Sequence, residues 1–149
     1  MESMVKLYKL ESVATILDRE MDSTIKEWTR QVSMAPSLTK CLLSDADRAR
    51  HLPKLFDDLL SRLRGIRNTN SPVSIAANLH GRLRFTQGYS ADMLVEESRI
   101  LEVSTFNTLH LHQSELNQTQ ALPDVLIIAD EADRQLEETV RGFMAAAAA

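Results

Sequence analysis

Apolar residues recur along this chain at spacings of three and four, the period of one face of an α-helix. The first stripe, Val13, Leu17, Met21, Ile25, Trp28 and Val32, predicts a helix from about Glu11 to Met34 that Pro36 closes. Asp18, Arg19, Lys26, Glu27 and Arg30 form its solvated face. A shorter helix over Val5 to Leu10 precedes it or joins it. Ser44 to Asp47 offers side-chain oxygens that cap free backbone N–H groups, so a second helix starts there. Its stripe is Leu52, Leu55, Phe56, Leu59, Leu63 and Ile66, with Pro53 as a point of interruption, and Asn68 to Pro72 reads as loop. Ser71 or Pro72 starts a third helix, Val73 to about Gln87, which Gly88 terminates. Ser90 caps a fourth whose broad apolar face, including Met93, Leu94, Ile100, Leu101 and Phe106, places it centrally. Pro123 and Asp124 open the last, with Val125, Ile128, Ala132, Leu136, Val140 and Phe143 on its stripe.

The pattern predicts an all-α domain of five to six helices. Only 4 Gly and 4 Pro leave too few tight turns for a many-stranded sheet. At 149 residues the prior is one domain, residues 1–144, followed by the low-complexity run Ala145 to Ala149. Alanine is the best helix former, so that run either extends the last helix or is artificial.

A net charge of −4 lacks the field that neutralises phosphates, which argues against a nucleic-acid partner. The longest apolar run before the tail, Val125 to Ala129, is far short of the roughly 20 residues that span a bilayer. The first residues lack the apolar stretch of a signal peptide, so the expectation is a cytoplasmic protein with no membrane contact. Cys41 is the single cysteine, excludes an intrachain disulfide, and reads as a small buried residue rather than a nucleophile.

Candidate chemistry concentrates between His80 and Ser90, where one helix gives way to the next. On a helix His80 shares a face with Ala76, Leu83, Arg84 and Gln87, at the border of the packed side. One reading is a core-edge histidine bonded to a neighbour, with Gly81 permitting close helix approach. Another is a phospho-acceptor imidazole, which requires exposure; a third is an axial ligand to haem. His110 and His112 are two apart and point in different directions, so no helical metal pair is expected. Glu96, Glu97, Glu137 and Glu138 read as solvated acids or ion-pair partners. No catalytic carboxylate pair or phosphate-cradling glycine loop stands out.

The run His80-Gly81, Arg84, Gln87-Gly88-Tyr89-Ser90, continued by Leu94, Val95, Glu97 and Leu101, resembles the RsbRD N-terminal domain family, which is related to RsbT co-antagonist proteins. The resemblance follows the helix order of nearly the whole chain and is specific from Leu79 to Leu101. It departs at Glu102, where the family favours arginine. It implies a globin-like helical fold without haem, paired as a homodimer, at the front of stressosome proteins or sensor histidine kinases. On that reading the chain is a non-catalytic sensory domain in signal transduction that passes its state to a C-terminal kinase or other output domain. No cofactor and no metal are implied. The residues His80, Gly81, Arg84, Gln87, Gly88, Tyr89, Ser90 and Glu97 are the candidate regulatory or structural motif. Their chemistry suits a polar latch between two helices: opposite charges on Arg84 and Glu97, an amide on Gln87, and a ring with a hydroxyl on Tyr89.

Overall fold

The computed structural model describes residues 10–68, 70–72 and 74–149. The helix expected over Val5 to Leu10 falls almost wholly outside them. Among the described residues every regular element is helical, apart from one isolated bridge between Glu11 and Leu116. Six helices have seven residues or more, so the all-α expectation holds.

The first stripe folds as two helices, α1 (Val13–Arg19) and α2 (Met21–Ser33), broken at Glu20. No glycine or proline marks the break. Instead the hydroxyls of Ser23 and Thr24 both donate to the Glu20 carbonyl at 2.9 Å, and such local bonds compete with the helical ladder and bend it. Single turns follow, α3 (Pro36–Thr39) and α4 (Asp45–Ala49), the latter capped by the Ser44 hydroxyl accepting from the Asp47 N–H. The interruption at Pro53 is real: α5 runs Leu52–Leu63 with the proline in its first turn.

The third long helix, α6 (Ile75–Thr86), starts later than expected. Its cap is Ser74, which accepts from the Ala77 N–H, and not Ser71 or Pro72; the expected first residue, Val73, lies outside the described set. Ser90 occupies the N-cap position of α7 (Ala91–Leu111) as expected. The last helix, α8, corrects the expectation most, because it spans Gln118–Ala148 and carries Pro123 inside it. Its cap is the Asn117 side chain, accepting from the Thr119 N–H. Pro123 removes only the bond to the Thr119 carbonyl, and the residues of that turn are largely exposed, so solvent takes its place. The alanine run continues this helix.

Trp28, Ile16, Leu17, Val32, Leu38, Leu52 and Leu94 are buried to 2% exposure or less and form the centre of the core. Burying side chains of this size is worth about 1.5–3 kcal/mol each. Two glycines set the tightest seam. A Cβ on Gly81 of α6 would lie 1.8 Å from the Thr139 carbonyl oxygen, and one on Gly142 of α8 would lie 2.0 Å from that of Asn78. The two helices therefore run antiparallel, backbone against backbone, with Gly81 permitting the close approach that the sequence implied.

Candidate functional site

The turn from α6 to α7 is built by Gly88. Its φ of +90° lies in the left-handed region that favours glycine. The Tyr89 N–H donates to the Arg84 carbonyl at 3.0 Å and the Gly88 N–H to that of Phe85 at 3.1 Å, the paired bonds of a Schellman end. This closure folds the Tyr89 ring back under Arg84, whose guanidinium carbon stands 4.8 Å from the ring centroid.

Arg84 is fully buried. Its Nε donates to Glu97 Oε1 at 3.2 Å, and its Nη2 lies 3.1 Å from Glu97 Oε2. Its Nη1 donates to Gln87 Oε1 at 2.7 Å, and its Nη2 to the Arg48 carbonyl at 2.6 Å. The Tyr89 hydroxyl donates to Glu97 Oε2 at 2.5 Å while accepting from Arg48 Nη1 at 2.7 Å. His80 Nε2 sits 3.5 Å from Glu97 Oε1. Thus His80, Arg84, Gln87, Tyr89 and Glu97 converge. Gly81 and Gly88 shape the backbone around them, whereas Ser90 is exposed at the N-cap position of α7, where its hydroxyl donates to Asp92, and does not join the cluster.

Glu97 and Glu138 are buried, not solvated. Glu138 accepts from Asn78 Nδ2 at 2.8 Å and pairs with Arg141. Burial alone would raise the Glu97 carboxyl. The hydrogen bond from His80, the charge of Arg84 and the Tyr89 hydroxyl outweigh burial and hold it below the usual carboxylate range. Cys41 is half-buried against the core rather than enclosed by it.

Three participants escaped the sequence reading: Arg48, His51 and Trp28. Arg48 is buried on α4, a single turn, and no apolar period marks it. His51 stacks on His80 with ring centroids 3.5 Å apart and planes within 8° of parallel, and Trp28 meets its edge at 5.9 Å. Trp28 also donates from Nε1 to the Glu97 backbone carbonyl at 3.2 Å. Burial pushes both imidazoles below the ordinary histidine value, aided for His51 by its neighbours His80 and Arg84. They are therefore neutral at pH 7. His51 Nδ1 is shielded from solvent without a well-aligned hydrogen bond, and the backbone of Arg48 is a weak partner of the ring.

His51, His80 and Glu97 place one ligand atom each within 4.8 Å of one another, a donor set known from transition-metal sites. The arrangement does not suit a metal ion. An imidazole binds in its own ring plane, and two near-parallel planes 3.5 Å apart share no such point. The carboxylate is already taken by Arg84. Haem ligation by His80 meets the same obstacle, since its ring is stacked on one side and its Nε2 faces Glu97.

Beside this network lies a cavity of about 60 Å³. Its floor is apolar, with Trp28, Leu55, Phe56, Leu59, Leu94 and Ile128, and His51, His80 and Glu97 form one wall. Half-buried Ser98, Leu101 and Glu102 of α7 and Ala132 and Leu136 of α8 line its solvent side. The hydroxyls of Thr105 and Thr139 in the wall are committed to the carbonyls of Leu101 and Gln135 in their own helices. No family model, curated protein or solved structure matches the chain.

Proposed function

We propose that the chain is a non-catalytic regulatory module of a bacterial signalling protein, as its resemblance to the RsbRD N-terminal domains implies. The observation that carries this reading is a buried charge network, closed around Arg84 and Glu97, that forms the wall of a cavity. A buried ion pair is a poor device for stability alone, because well-packed apolar residues of similar volume do as well or better. Placed beside a cavity, it is instead suited to favouring one packing of α6 on α7 over another. Nucleophilic catalysis in the cavity would need a hydroxyl activated by a base; the wall threonines are bonded to their own helices, and the Ser98 hydroxyl has no histidine or carboxylate bonded to it among the described residues. Burial of His80 to 7% exposure counts against phosphoryl transfer, which needs an accessible imidazole.

The module pairs as a homodimer, with α8 leading onward to an output domain such as a histidine kinase. The exposed apolar stripe Ile75, Leu79 and Leu83 on α6, which is fastened to α8 at Gly81 and Gly142, supplies a self-complementary surface. The proposed interface is α6 together with α8. Sedimentation equilibrium at micromolar concentration tests it. The expected result is a dimer that Leu79→Glu dissociates without loss of helicity; a chain that remains monomeric removes the pairing and the transmission route with it.

A further inference from the structure

His112 closes α7 and takes no part in the network around Arg84. Its ring is held edge-on between two carboxylates: Nδ1 is 2.5 Å from Glu115 Oε2, and Nε2 is 3.0 Å from Glu20 Oε1. Glu115 ends the single 3₁₀ turn Gln113–Glu115 that follows α7, and Glu20 is the break between α1 and α2. Arg19 completes the cluster. It donates to both oxygens of Glu11 at 2.8 and 2.7 Å and lies 3.4 Å from Glu20 and from Glu115. The carboxylates of Glu11, Glu20 and Glu115 thus share one guanidinium, and no lysine or further arginine pairs with them among the described residues. The imidazole of His112 is the remaining group that can bring them a positive charge.

We propose that His112 is a proton-operated clamp, closed as the imidazolium and loosened when the ring is neutral, that fastens the α1–α2 break to the connection leading into α8. An ionised carboxylate only accepts hydrogen bonds, so each of the two facing the ring needs an N–H. The imidazolium offers two and the neutral ring one. In the neutral ring a nitrogen lone pair must therefore face a carboxylate oxygen at 3.0 Å or less, and a charge-assisted bond becomes a repulsive contact. Histidine is the side chain that makes this change between about pH 5 and 8. His112 and Glu20 are about a quarter exposed and Glu115 is 39% exposed, so protons reach the ring without unfolding. The segments joined are the ones that set where α8 begins. The Glu11 N–H donates to the Glu115 carbonyl at 2.6 Å, the Asn117 N–H donates to the Glu11 carbonyl at 3.0 Å, and the Asn117 side chain caps α8. Release of Glu115 therefore loosens the hold between the start of α1 and the start of α8. The effect is local, and it opposes in sign the acid sensitivity of the buried His51 and His80, so it is read at these backbone groups and not in global stability.

The clamp goes beyond the regulatory reading and does not rest on it, since it operates in a monomer as in a dimer. The test is nuclear magnetic resonance of the whole chain between about pH 5 and 8. Two quantities are followed: the protonation of the His112 ring nitrogens, and the amide exchange of Glu11 and Asn117 corrected for the intrinsic effect of pH. Both ring nitrogens should carry a proton at the acid end and one of them at the alkaline end. As the second proton leaves, the two amides should exchange about threefold faster, the size expected when a partly exposed ion pair is lost. His112→Gln should abolish this pH dependence. Glu20→Gln should weaken it, because an amide can turn its N–H toward the neutral nitrogen or its oxygen toward a protonated one. The unsubstituted protein carries both readings, so the answer does not require either variant to fold. A ring whose protonation does not change over the interval overturns the clamp. So do amides whose exchange ignores the titration of the ring, or follows pH equally in His112→Gln. The regulatory reading is judged separately, by self-association.

Discussion

Replacing Arg84 by methionine keeps the apolar stem of a fully buried side chain but removes its guanidinium. Four acceptors lose a donor at once: both oxygens of Glu97, the Gln87 amide oxygen and the Arg48 carbonyl. Gln87 is half-buried and can turn to water. Glu97, at 4% exposure, cannot. Stranding one member of a buried ion pair costs about 3–5 kcal/mol, and the orphaned carbonyl adds to this less than additively. A loss of that size is a large share of the 5–15 kcal/mol typical of a domain, and should lower the melting temperature by roughly 10 °C. Urea unfolding followed by circular dichroism measures it directly. The double variant Arg84→Met, Glu97→Met should recover about 1–3 kcal/mol relative to the sum of the singles. Recovery stays incomplete because Tyr89 and His80 then lose their own carboxylate partner. A single-variant loss below about 1 kcal/mol, or strict additivity, would refute the argument that the two charges are held by one another.

Gly81→Ala should destabilise by more than the usual 1–3 kcal/mol of overpacking, since the new Cβ would meet backbone at 1.8 Å rather than a yielding side chain; a melting temperature unchanged from wild type would contradict the seam. Acidification should also weaken the fold. His51 and His80 titrate below their unfolded values, so the stability from keeping them neutral is complete above about pH 6.5 and is lost as pH falls through the folded values. The facing groups are Arg84, Glu97, Tyr89 and Arg48; of these Glu97, held low, adds its own loss only at more acid pH. Urea midpoints between pH 7.5 and 5.5 should fall, and His51→Phe should fall less; a flat profile in this range would exclude buried neutral imidazoles.

The helical elements were legible because helices bury a stripe, and a stripe has a period. Elements that obey local hydrogen bonding without changing that period were not. The break at Glu20 is made by two hydroxyls that also sit acceptably on a continuous helix. The start of α8 is hidden because Pro123 usually opens a helix, whereas here an asparagine cap six residues earlier does so on an exposed turn. At the site, the residues from His80 to Glu97 were readable since they are close in sequence and chemically complementary. Arg48 and His51 reach the cluster only through tertiary packing of α4 and the start of α5, and no spacing along the chain encodes that.

For an occupant of the cavity to affect the rest of the molecule, it must bind one arrangement of the helices more tightly than another, and by no more than that difference. The polar wall it would touch includes the His51–His80 stack. His80 in turn faces Glu97 on α7 and rides on α6 one residue before Gly81. At Gly81 and Gly142 the two backbones have no side chains between them to absorb a shift. A rotation of α6 that relieves or tightens the stack must therefore carry α8 with it, and because Arg84 is on α6 and Glu97 on α7 it also loads the pair between them. Breaking that pair costs about 3–5 kcal/mol. A shift of α6 and α8 against α7 that avoids this cost is one that pivots about the Arg84–Glu97 pair and keeps it closed.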